Sequence, residues 1–206
     1  MKIEINDLIL RKLEISDIEL VRKFRNEKRI SKHLIHQSYI SKSKQMNWFK
    51  SIDWKISYYW MIVFDNKERG IIYINNYNSD KASIETNIFI FQEEDKGNPE
   101  FIRSLWIISF LCFKKFNFKI LQSKIQVENF PALEIDKFFG FKEVNNNKEL
   151  IFLECSKNDF TKNSKKIINL FFNKMSNVII EEFETDSFIS DFFSDKTKSI
   201  NLKLDI

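Results

Sequence analysis

Residues 84–141 leave this chain few ways to fold. An apolar strand pattern ending near Phe91 runs into a turn that holds Gly97. A long amphipathic helix opens at Pro99, a second strand follows from Leu121, and a short helix closes at Gly140. Strand, helix and strand in that order form a crossover unit, which lays the two strands parallel in one sheet. Proline suits the first helical position because its missing N–H would have no partner there. The start of a helix straight after a strand and a glycine turn can also present backbone N–H groups to an anion.

The rest of the chain supplies the sheet that this unit must join. Leu8 to Leu13 alternates as a strand, and Ser16 with Glu19 forms a capping-box pattern opening a helix to about Asn26. Ser41 starts a second helical pattern carrying Met46, Trp48, Phe49 and Ile52. Tyr58–Phe64 is a continuous apolar run of strand length, Asp65-Asn66-Lys67 reads as a hairpin turn, and Gly70–Tyr77 and Ala82–Phe91 complete a meander. After Gly140 come strands at Phe141–Val144 and Leu150–Glu154. The order β-α-α-β-β-β-α-β-α-β-β predicts an α+β fold: a mixed, mostly antiparallel central sheet with flanking helices. Residues 1–157 read as one domain. Residues 158–206 read as a C-terminal extension, with a helix at Ser164–Met175 and a strand at Val178–Phe183.

Composition excludes several classes. The 33 basic and 29 acidic residues are interspersed, with no block able to follow a phosphate backbone, so no nucleic-acid partner is expected. Cys112 and Cys155 sit in apolar patterns and read as buried reduced thiols. The first ten residues alternate and carry charges, unlike a signal peptide, and no apolar run nears the ~20 residues of a membrane span. A cytoplasmic, soluble protein with no membrane partner is the expectation. His33 and His36 lack a third ligand nearby, so no metal is expected. Asp186-Ser187-Phe188 is similar to the modified serine motif of acyl carrier proteins, but the tail is too short for a carrier. The apolar face of the Ser164–Met175 helix fits docking on the sheet or on a second subunit, as in a homodimer.

The element order and several motifs resemble the GCN5-related N-acetyltransferases (GNAT). Glu85-Thr86-Asn87-Ile88-Phe89-Ile90 follows that family's fourth-strand pattern with Asn in place of Gly. Asn129-Phe130-Pro131-Ala132 and Gly140-Phe141 match its Asn-x-x-Ala … Gly-Phe element at the usual spacing. Counting back from there puts Lys96-Gly97-Asn98-Pro99-Glu100-Phe101 on the cofactor loop. Phe24-Arg25-Asn26, Ile40-Ser41 and Trp48-Phe49 look like the branch that acetylates nucleotide-linked amino sugars, as in pseudaminic acid biosynthesis.

The resemblance implies acetyl transfer from acetyl-CoA to an amine, most simply that of an amino-sugar nucleotide. It implies Glu85 as a base acting through water and Asp136 at the position where the family carries a tyrosine acid. Ile88, Ile90, Lys96, Gly97, Asn98, Phe101 and Asn129 fall at cofactor positions, and Arg25, Asn26, Gln45 and Trp48 at acceptor positions. The sequence departs from the pattern at Lys96, Pro99, Phe101 and Asp136, and at Gln45, where the branch carries His. Two alternatives follow: a degenerate domain of this fold kept for binding or assembly, or an enzyme acetylating protein N-termini.

Overall fold

The computed structural model describes residues 1–172, 177–181 and 199–203. Its strands are β1 (Lys2–Ile5), β2 (Leu8–Lys12), β3 (Tyr58–Phe64), β4 (Lys67–Asn78), β5 (Ser83–Ile90), β6 (Ile120–Gln126), β7 (Lys142–Asn146), β8 (Leu150–Ser156), β9 (Asn177–Glu181) and β10 (Ser199–Lys203). They form one sheet in the order β10-β9-β1-β2-β3-β4-β5-β6-β8-β7. Among the described strands β5–β6 is the single parallel pair, joined by the expected crossover helix. The helices are α1 (Ile18–Asn26), α2 (Lys28–Ser31), α3 (Lys42–Lys50), α4 (Pro99–Lys114), α5 (Phe130–Phe139) and α6 (Lys157–Phe171). The predicted α+β class, mixed and mostly antiparallel, is the observed one.

Strand β3 is a continuous apolar run because both of its faces are covered. One face carries a core of Trp60, Ile62, Ile72, Ile84 and Leu121 with Ile107, Leu111 and Phe113 of α4, Leu133 of α5 and Phe160 of α6. The other packs Tyr59, Met61, Ile71 and Phe89 against Val21 of α1 and Trp48 of α3. Alternation along each strand therefore sorts residues between an α4–α6 face and an α1–α3 face. Edge strand β7 is exposed along its length and bears Lys, Glu and Asn, a composition that discourages pairing with another sheet. Among the described residues no helix is long and apolar enough to cross a membrane.

The structure corrects several boundaries. The opening segment forms its own strand, β1, turning through Asn6 at φ 55° into β2. A capping box between Glu14 and Asp17 closes the 3-10 turn Ile15–Asp17 that leads into α1, in place of the expected one between Ser16 and Glu19. Arg11 holds the buried Asp17 through two hydrogen bonds of 2.7 and 2.8 Å, which fixes that carboxylate where it can accept from the Glu14 N–H. Helix α6 begins seven residues before the expected Ser164, because Ser156 caps it by accepting from the Asp159 N–H. Met175, Phe183 and the Asp186-Ser187-Phe188 motif lie outside the described residues.

The boundary at residue 157 does not separate two cores. Phe160, Ile167, Phe172, Val178 and Ile180 are buried in the same cluster as α4 and α5, and β9 pairs with β1. Gly140 permits the α5–α6 contact. It ends α5 at φ +98°, and a Cβ there would stand 2.7 Å from Asn163 Nδ2 and 2.9 Å from the Asp159 carbonyl.

Candidate active site

The parallel pair comes apart. Strands β5 and β6 are in register only at Ser83↔Ile120, Ile84↔Leu121 and Glu85↔Gln122. Beyond Glu85, among the described strands, β5 continues to Ile90 paired with β4 alone, and β6 continues to Gln126 paired with β8 alone. Two strands that run on without bonding each other enclose a wedge, and a cavity of about 440 Å³ lies in it. Thr86–Phe89 line it from one strand and Ser123–Gln126 from the other.

Alternation gives this wedge two different mouths. Glu85, Asn87 and Lys124 point to the α1–α3 face, whereas Thr86, Ile88 and Ser123 point to the α4–α6 face. On the first face Glu85 is buried, 6% exposed, and is held by three donors. Asn76 Nδ2 lies 3.1 Å from its Oε2, Asn87 Nδ2 3.4 Å from its Oε1, and Lys124 Nζ 2.7 Å from its Oε2. Asn76 reaches it because β4 bulges between Asn75 and Asn78, with Asn76 at φ 55°. Bulges of this kind re-aim side chains beside functional clefts.

The same mouth is walled by Arg25, Trp48, Tyr59 and Tyr73. The Arg25 Nε is shut off from solvent and has no hydrogen-bond partner among the described residues. Trp48 meets Tyr59 edge to face at 5.2 Å, and Tyr59 stacks on Tyr73 at 4.9 Å. Burial pushes the Tyr73 phenol up to about 12 and raises that of Tyr59, so both are neutral hydrogen-bonding groups at physiological pH. His33 and His36 form part of the roof. Burial, then Lys96 and Lys32, draw the His33 imidazole below its ordinary range. The roof is tied across the wedge by Gln126 Nε2, which donates to the Leu34 carbonyl at 3.1 Å.

On the opposite face stands Asp136. Part of the residue touches solvent, but its carboxyl Oδ2 is shut off and has no hydrogen-bond partner among the described residues. Burial lifts this carboxyl to about 7 against a smaller opposing pull from a hydrogen bond with Ser123. Near neutral pH a substantial fraction of it therefore carries a proton. Two carboxyl groups thus flank one cleft from opposite sides of the sheet, one held by three donors and one kept partly neutral by its surroundings. That pairing suits a reaction in which one group accepts a proton and the other gives one.

Of the residues expected at this site, Glu85, Asp136, Ile88, Asn129, Arg25 and Trp48 line the cavity. Asn129 caps α5 through its side chain and marks the cavity's edge. The others stand elsewhere. Gln45 is buried in α3 outside the lining, because that face of the helix turns inward. Asn26 is spent on the chain itself, its amide bonding both the N–H and the carbonyl of Ile40 at 2.8 Å. Ile90 packs against the α4–α6 core.

In the 96–101 turn, Lys96 is paired with Glu93 at 3.0 Å, and Gly97 has φ +90° with open space around it. Asn98 precedes α4 without a side-chain cap. Phe101 is not a wall of this turn: its ring is buried in the core against Phe64 at 5.5 Å. Lys124, Ser123, Tyr59 and Tyr73 had no motif to announce them, since only strand register and the wedge bring them to the cleft. Among the described residues no group of three or more His, Cys, Asp or Glu could hold a metal.

No family model matches the chain, and no curated protein matches it either. Solved structures do. The apo form of FdhC, a nucleotide-linked sugar GNAT, superposes with a TM-score of 0.68 at 18% identity, covering 83% of this chain and 98% of that one. Spermidine N-acetyltransferase from Vibrio cholerae, in complex with CoA and spermine, gives 0.66 at 18% identity over 75% and 98%. A domain from Methanocaldococcus jannaschii gives 0.65 at 18% identity over 74% and 99%. The chain is therefore built on the GNAT fold, as its motif spacing implied. At these identities the likeness speaks for architecture alone, and chemistry has to be argued from the wedge.

Proposed function

We propose that this protein is an N-acetyltransferase that moves an acetyl group from acetyl-CoA to the amine of a nucleotide-linked amino sugar. The observation that carries this reading is the split between β5 and β6, with Glu85 and Asp136 on its two faces. Among the described residues, the edge of β5 past Glu85 has no strand beside it on the β6 side. Its N–H and C=O groups suit an extended amide-bearing arm added as a further strand, which would set a thioester at the apex of the wedge. The open Gly97 turn at the start of α4 suits the phosphate end, with Pro99 withholding one donor. Phe101 leaves that turn clear by packing into the core.

At the apex Glu85 takes the proton of the attacking amine through a water, and Asp136 offers a proton to the departing sulfur from the other face. Tight holding by Asn76, Asn87 and Lys124 keeps Glu85 in one place, and positioning of this kind is a large part of a general base's effect.

The acceptor class follows from charge. Arg25 lines this mouth, and Lys124 already neutralises Glu85. A mouth so furnished favours an amine whose body carries phosphate, which a guanidinium can grip, over a polycation that needs several free carboxylates. Thiol release from acetyl-CoA should therefore be seen with nucleotide-linked amino sugars and be near background with spermidine. Faster release with spermidine would overturn the acceptor assignment.

A further inference from the structure

The same cleft contains an amine of its own. Lys124 Nζ lies 2.7 Å from Glu85 Oε2, so one amine already stands in direct contact with the carboxylate that would receive an acceptor's proton. Lys124 is two residues past Gln122, where backbone pairing with β5 stops, so its side chain leans across the open apex of the wedge. It is 37% exposed, within reach of a molecule entering the cleft. Its partner Glu85 is buried and also held by Asn76 and Asn87, so the carboxylate stays in place if the lysine moves.

We propose that Lys124 is itself an acyl acceptor, taking the acetyl group of acetyl-CoA when no small amine fills the site. The inference rests on the acyl-transfer reading above. The ammonium passes one proton to Glu85 and on to solvent. The freed nitrogen lone pair attacks the thioester carbonyl, the C–N bond forms, and the C–S bond breaks with its electron pair on sulfur. The nitrogen then loses a second proton, the sulfur gains one, and the products are acetyl-Lys124 and the free thiol. Acetylation removes the charge that neutralises Glu85, so the modified protein meets its acceptor with a different electrostatic balance.

The test is a time course of the purified protein with acetyl-CoA alone, read by peptide mass mapping. Lys124 is expected to acquire one acetyl group at least about tenfold faster than the exposed Lys137 and Lys142. The modification should slow in Glu85→Gln. In Lys124→Arg, which keeps a cation on Glu85, no label should appear on the 124-containing peptide. Labelling that merely follows exposure, or an unmodified Lys124 in a preparation that acetylates a small amine, would overturn the inference. A preparation that acetylates neither Lys124 nor any amine would overturn the acyl-transfer reading and this inference together.

Discussion

Glu85→Gln is expected to lower kcat/KM for amine acetylation by about a hundredfold or more, while acetyl-CoA binding stays near its original strength. Glutamine keeps the size of the side chain, and its single carbonyl oxygen can still accept from one of Asn76 and Asn87, so the packing of β5 is largely preserved. It has no carboxylate to receive a proton, and it leaves Lys124 without its ion-pair partner at the apex. The loss should therefore fall on kcat, measured by thiol release at saturating acetyl-CoA. An unchanged kcat would remove Glu85 from the chemistry.

The second large effect belongs to Asp136 and concerns stability as well as rate. A carboxyl lifted to about 7 by burial holds its proton more tightly in the folded state than in the unfolded chain, where it is an ordinary Asp. Its contribution is therefore fully present below the unfolded value of ~4 and is lost as pH rises to about 7, because ionisation then has to occur in a desolvated place. About three pK units correspond to an upper figure on the order of 4 kcal/mol. Asp136→Asn cannot ionise and should be more stable than the parent at about pH 8, by roughly 2–4 kcal/mol or ~5–10 °C in Tm, with the difference fading towards pH 4. In the parent, the rate of thiol release should fall above about pH 7 as this donor ionises, and the Asn variant should lose that limb. Parallel stability curves for the two proteins across this range would show that Asp136 is not held neutral by the fold.

Much of the architecture was legible because it depends on local pattern. The Tyr58–Phe64 run, the crossover through Pro99 and the Gly140 stop are features that neighbouring residues largely decide. The exceptions have local physical causes too. The turn leading into α1 takes its capping box from Glu14 and Asp17 because Arg11, on the preceding strand, anchors Asp17, and no window within the helix contains that arginine. Helix α6 starts at a serine that also ends a strand, so the change of period was masked.

The site was legible only where a spacing rule reached it. Glu85, Asp136 and Asn129 lie on elements whose register could be counted. Lys124 and Ser123 depend on where β5 and β6 cease to pair, and Tyr59, Tyr73 and the His33–His36 roof depend on tertiary packing. Phe101 shows the converse: the resemblance put it at a cofactor position on the 96–101 loop, but its ring lies in the core, where burial of an aromatic is favourable.

The central claim is that the wedge between β5 and β6 receives the extended arm of acetyl-CoA despite the altered turn before α4. Calorimetric titration of the purified protein with acetyl-CoA tests this most directly. The account predicts a saturable heat with one site per chain and an accompanying rise in Tm. Absence of both heat and thermal shift at millimolar acetyl-CoA would contradict it, and would leave a GNAT-fold protein whose cleft serves something other than acyl transfer.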